Sequence, residues 1–149
     1  AYEILIGLVG SEMSIRDRCT FEQYLKEPYA LDFHQMQRIH GELSKEIGED
    51  PEAVELYEEL IDAATRYAAV RAKWLRMSKE EKIDTDSLRT SHHDSVITHL
   101  NMLARYLKMQ GKKALWREQL GDVEENGYIR KGIGDFACYL VFVNSICAR

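Results

Sequence analysis

The sequence predicts an all-α fold, a single-domain bundle of five or six helices with a central apolar C-terminal helix. Three observations predict it. Apolar residues recur at three- and four-residue spacing, while the alternating β-branched pattern of strands is nearly missing. Only two prolines interrupt the 149 residues. The stretch from Phe136 to Val143 is apolar without a polar side, as a helix buried among others must be. A chain of this length can bury roughly 70% of its unfolded surface, enough for one core without disulfide or metal staples.

The elements follow in order. An apolar segment covers about residues 2–10, and a helical stretch covers about 14–26. The second ends before Pro28, because a proline disfavours helical geometry at the residue preceding it. Residues 29–47 carry Leu31, Met36, Ile39, Leu43 and Ile47 at helical spacing, and Gly48 is their stop. Asp50-Pro51-Glu52 is the strongest start signal in the chain. Asp50 can cap free amides, Pro51 suits the first helical position, and Glu52 complements the helix dipole. The helix it opens should reach about Met77, with a core stripe of Tyr57, Leu60, Ala64, Tyr67, Ala68, Trp74 and Leu75.

Ser78 to Asp86 is charged and aperiodic and reads as a connector. A helix from Asp86 or Ser91 to Gln110 buries Val96, Ile97, Leu100, Leu103, Ala104 and Leu107, and Gly111 stops it. Lys112 to Leu120 reads as a short helix around Trp116, and Gly121 to Gly127 as a loop. The last helix spans about 130–148.

Composition narrows the function. With 45% hydrophobic residues the chain is neither disordered nor a small disulfide scaffold. A net charge of −5 disfavours a general binder of nucleic acid or anionic membrane. The charge is uneven, with a net of −10 over residues 1–62 and +5 over 63–149, so the chain can attract itself within or between subunits. Cys19, Cys138 and Cys147 are odd in number and form no CxxC, which fits a reduced, cytoplasmic compartment. Neither apolar run is long enough to span a bilayer.

No strong catalytic or cofactor motif is present. Arg89-Thr90-Ser91-His92-His93-Asp94, followed by His99, is the densest chemistry. Helical ligands share a face at i and i+3 or i+4, but His92 and His99 stand about 10.5 Å apart along the axis. His93 falls on the apolar stripe, so no metal or other cofactor is expected here. Asp122 to Ile129 half-matches a calcium loop, but position 12, normally a bidentate glutamate, is Ile133. Gly132-Ile133-Gly134-Asp135 lacks the third glycine and the preceding strand of a phosphate-binding fingerprint.

Arg71 is less ordinary. It falls within the apolar stripe of its helix, where a guanidinium must snorkel outward or meet a buried partner. Asp135 is the natural partner, fixing helix register, and His93 or Tyr139 could complete a polar cluster. Candidate ligand-binding residues are therefore Arg71, His92, His93, His99, Asp135 and Tyr139. Arg105, Lys108, Lys112, Lys113 and Arg117 form a short basic run of the kind that contacts nucleic acid, in a chain that is acidic overall.

Arg130 to Phe142, with the Arg89–Arg105 helix before it, resembles a bacterial family of small helical proteins of unknown function, over about the C-terminal 60 residues. The resemblance implies an all-helical fold and a bacterial cytoplasmic origin, and carries over no activity or catalytic residue. The expectation is a non-enzymatic protein acting through protein–protein contact, as a homo-oligomer or with another protein. The alternative is a small-ligand or metal-binding bundle, and a possible enzyme, built on the His/Asp/Arg cluster.

Overall fold

The computed structural model describes residues 33–74, 76–121 and 132–147, with side chains as far as Asn144. The described residues form five α-helices and no strand: α1 (Phe33–Ile47), α2 (Pro51–Trp74), α3 (Lys79–Met109), α4 (Leu115–Leu120) and α5 (Gly132–Cys147). The expected segments at 2–10 and 14–26, and the half-matched calcium loop up to Arg130, lie outside the described residues. Ile133, at that loop's twelfth position, is buried.

The punctuation works as the sequence predicts. Gly48, with φ +51°, takes the left-handed conformation that ends α1. Asp50 Oδ1 accepts from the Glu52 and Ala53 amides at 3.0 and 3.4 Å, capping α2. Asp50 Oδ2 also accepts from Tyr106 Oη at 2.7 Å, so the same carboxylate ties the start of α2 to the end of α3. After α3, the Lys112 amide donates to the Leu107 carbonyl and the Gly111 amide to that of Lys108. Gly111 has φ +86°, and the three together make a Schellman stop.

One boundary differs. The segment from Ser78 to Asp86, read as a connector, belongs to α3 from Lys79 onward. Ser78 Oγ accepts from the Glu81 amide, and the Glu81 carboxylate accepts from the Ser78 amide, both at 3.2 Å. This capping box starts the helix without an apolar face. The pattern is aperiodic because the first half of α3 is largely solvated: Ile83 and Leu88 are exposed, and no residue from 79 to 95 is fully buried. α2 correspondingly ends at Trp74, and the turn to Ser78 is short.

α5 is central. It touches all four other helices, and every residue from Gly132 to Val141 is buried. Around it, Met36, Ile39 and Leu43 of α1, Leu60, Ala64 and Tyr67 of α2, Val96 to Leu107 of α3 and Trp116 of α4 complete one core. Polar staples hold the periphery. Glu46 of α1 accepts from Trp116 Nε1 at 2.6 Å and from the Ala114 amide at 3.0 Å, replacing the side-chain cap that α4 lacks. Tyr57 Oη joins His40 Nε2 at 2.9 Å and accepts from Asn144 Nδ2 at 3.0 Å, linking α1, α2 and α5.

Candidate functional site

The densest polar chemistry lies where α2, α3 and the first turn of α5 meet. Asp135 is placed there because three buried residues, Gly132 to Gly134, bring the start of α5 into the core. Its carboxylate accepts from Arg71 at 2.8 Å, with the aspartate side chain 1% exposed and the arginine 14%. The expected Arg71–Asp135 pair is therefore present. Its alignment with the positive end of the α5 dipole adds to the stabilisation of the charge. Leaving either partner alone in such a setting costs about 3–5 kcal/mol.

Gly134 shows how closely the helices approach. A Cβ there would sit 2.7 Å from both Tyr67 Oη and Arg71 Nη1, and 3.3 Å from the Tyr67 ring. A larger residue fits only if the ends of those two side chains move, and the Asp135 carboxylate holds Arg71 where it is.

The neighbouring groups are held in their uncharged forms. Cys138, one turn after Asp135, is fully buried, and that burial pushes its thiol up to about 12. Burial likewise raises the Tyr67 hydroxyl to about 12, with the Arg89 guanidinium working in the opposite direction. His93 packs edge-on against Tyr67, ring centres 5.3 Å apart. Desolvation lowers its pKa, reinforced by the positive charge of Arg89 and then opposed by Asp94. Above the cluster Arg89 lies over the Trp74 ring at 4.9 Å, with Lys82 at 5.9 Å. Arg89 Nε is buried without a hydrogen-bond partner, the ring taking the place of an acceptor. A protonated thiol, a protonated phenol and a guanidinium-bound carboxylate include no activated nucleophile.

The other candidate residues do not converge. His92 is half-buried. His99 Nδ1 lies 2.8 Å from the Ser95 carbonyl of its own helix. Tyr139 packs against Phe33, His40 and Phe136 rather than completing the cluster beside His93. Among the described residues no group of three His, Cys, Asp or Glu side chains could hold a metal ion. Sequence reasoning missed Tyr67, Trp74, Arg89, Cys138 and Gly134 as parts of this cluster. Arg89 and His93 at i and i+4 were a legible signal; the Trp74–Arg89 stack needs the hairpin, which the supposed connector concealed.

A second region lies at the other end of α3. Asn101, Ala104, Arg105, Lys108 and Met109 line an open groove of about 500 Å³, with Arg117 of α4 on its far wall. Arg117 is committed inward, donating to Asn101 Oδ1 and to the Gly121 carbonyl at 2.7 Å each, so it is not free to serve the basic run as expected. Arg105, Lys108, Lys112 and Lys113 are exposed, as are Met102, Met109 and Leu115. Among the described residues no helix is long and apolar enough to cross a membrane.

No protein-family model matches the chain, and neither a curated protein nor a solved structure matches it.

Proposed function

We propose that this chain is a non-enzymatic helical protein that acts through protein–protein contact, with a second copy of itself as the first partner. The observation that carries the reading is the concentration of exposed large apolar side chains, Met102, Met109 and Leu115, over the last two turns of α3 and the first residue of α4. Met109 lines the groove, and flexible methionines adapt to a protein surface at little cost. The interior polar cluster, by contrast, is neutralised and tightly packed. A cytoplasmic setting fits the buried Cys138, a thiol in no disulfide. The resemblance to a bacterial helical family is compatible with this reading and adds no activity.

A native mass spectrum of the gently purified protein tests it. The reading expects an oligomer without added mass. A monomer carrying a stoichiometric ion or small molecule contradicts it.

One observation favours a second reading, a small anionic ligand at the Arg71–Asp135 cluster: the Arg71 and Arg89 guanidiniums both act on His93, and the single buried carboxylate there, Asp135, binds Arg71. This reading expects phosphate or a dicarboxylate to raise the melting temperature, and Arg89→Gln to abolish the rise. An equal response in the variant would remove it.

A further inference from the structure

The charge along this chain is segregated. From Glu42 to Asp62 there are nine acids and one base. From Ser95 to Arg117 there are five bases and no acid. The two stretches are neighbours in the fold, since Asp50 at the start of α2 meets Tyr106 near the end of α3. The buried Arg71–Asp135 ion pair engages neither stretch.

The acidic side chains form an organised surface. Glu52, Glu55 and Glu59 follow one another at i+3 and i+4 along the first turns of α2, with Glu58 beside them and Val54 one turn before Glu58, all exposed. Like charges at these spacings each cost an isolated helix about 0.2–0.5 kcal/mol. Only Glu52 lies in the first turn, where the helix dipole offsets that cost. The basic side has the matching form. Met102, Arg105 and Met109 follow at i, i+3 and i+7 on one face of α3, and Lys108 stands beside them at the groove.

We infer that the groove between α3 and α4 receives the acidic face of α2 from a second copy of this chain. Glu55 and Glu58 meet Arg105 and Lys108, and Val54 packs against Met109. The inference rests on the self-association proposed above and names the surfaces that make it. Because each copy carries both surfaces side by side, a two-fold axis presents the acidic face of each to the groove of the other. The contact then closes as a dimer instead of propagating. Charge complementarity selects the second copy over a nucleic acid: a polyanion would meet the glutamates of α2 next to the same groove and be repelled by them.

Complementary charge reversal tests the pairing. The variants are Arg105→Glu/Lys108→Glu in the groove and Glu55→Lys/Glu58→Lys on α2, all at exposed positions. Arg105→Gln/Lys108→Gln serves as a milder groove variant if the reversal impairs folding, which circular dichroism reports. Sedimentation velocity is run on each variant alone, on the equimolar mixture, and on the wild type in low and high salt.

The expected result is a wild-type dimer weakened by about tenfold in high salt. Each variant alone is monomeric, and dimers reappear in the mixture, where both contacts again join opposite charges. A wild type that stays monomeric at tens of micromolar overturns the self-association reading and this inference with it. A wild-type dimer whose variants dimerise equally well leaves self-association standing and overturns the pairing alone. Monomeric variants whose mixture stays monomeric also overturn the pairing. A monomeric wild type retained on heparin through Arg105 and Lys108 gives the groove to a polyanion instead.

Discussion

At its open end the α2–α3 hairpin contributes Ala53, Leu60 and Ala64 from one helix and Val96, Leu100, Leu103 and Leu107 from the other, all buried. At its closed end, from Lys79 to Ser95, α3 buries no residue completely, and the two helices meet through Tyr67–His93 and Trp74 beneath Arg89, while Arg71 of α2 reaches Asp135 of α5. The same two helices thus use non-directional burial at one end and directed polar and ring contacts at the other. Apolar burial tolerates small shifts in register, whereas an ion pair and a ring stack do not. The closed end therefore fixes how α5 sits on the hairpin, and the open end supplies most of the driving force.

Substitutions at each end break this contrast in different ways. Asp135→Ala strands the Arg71 guanidinium and should lower stability by about 4 kcal/mol in denaturant titrations. Replacing both partners, Arg71→Met with Asp135→Leu, should recover most of that loss, because the buried charge itself is what the single variant leaves unsatisfied. A double variant as unstable as the single one would show that the pair does more than satisfy itself. At the open end Leu100→Ala should cost about 3 kcal/mol through lost burial and a cavity, with no such rescue.

Gly134→Ala should cost about 2 kcal/mol. Its methyl group meets Tyr67 and an Arg71 that Asp135 prevents from moving aside. A neutral effect would mean that the closed end repacks more freely than the distances indicate.

Acid should weaken the closed end first. His93 has a lowered pKa in the folded protein, so below about 6.5, the ordinary imidazole value, the unfolded chain binds the extra proton more readily. Stability is complete above that value and is lost as the pH falls through it. His40, lowered by burial beside Tyr57, contributes in the same direction. Melting temperatures from pH 7 to pH 5 should fall in the wild type and fall less in His93→Gln. Smallest of all, Ser78→Ala should remove about 1 kcal/mol through the capping box, read most clearly as faster amide exchange in the first turn of α3.

Much of this was legible in the sequence where a local rule decides the outcome. Asp50-Pro51, Gly48 and Gly111 each carry their own chemistry, and the periodic apolar residues of α3 announce its second half. Arg71 was legible because a charged residue on an apolar stripe requires a partner, and Asp135 was a charge on the most apolar helix. The first half of α3 was not legible from periodicity, since a helix that buries little has no stripe; its signal was the Ser78–Glu81 box. The tightness at Gly134 and the stack of Arg89 on Trp74 depend on how distant segments meet. Tyr139, His92 and His99 are not drawn into the cluster as His93 is, for the same reason: sharing a helix with a site residue does not fix which neighbour a side chain faces.

If the interior cluster is structural and contact runs through the outer groove, association must change exposure at one place and not the other. Hydroxyl-radical labelling, read residue by residue at low and high protein concentration, measures this directly. The account predicts that Met102 and Met109, exposed in the single chain, lose reactivity as concentration rises, while Ile83 and Leu88 at the closed end stay reactive and buried Met36 stays protected. Unchanged reactivity at both methionines, or protection that grows instead around Ile83 and Leu88, would contradict it.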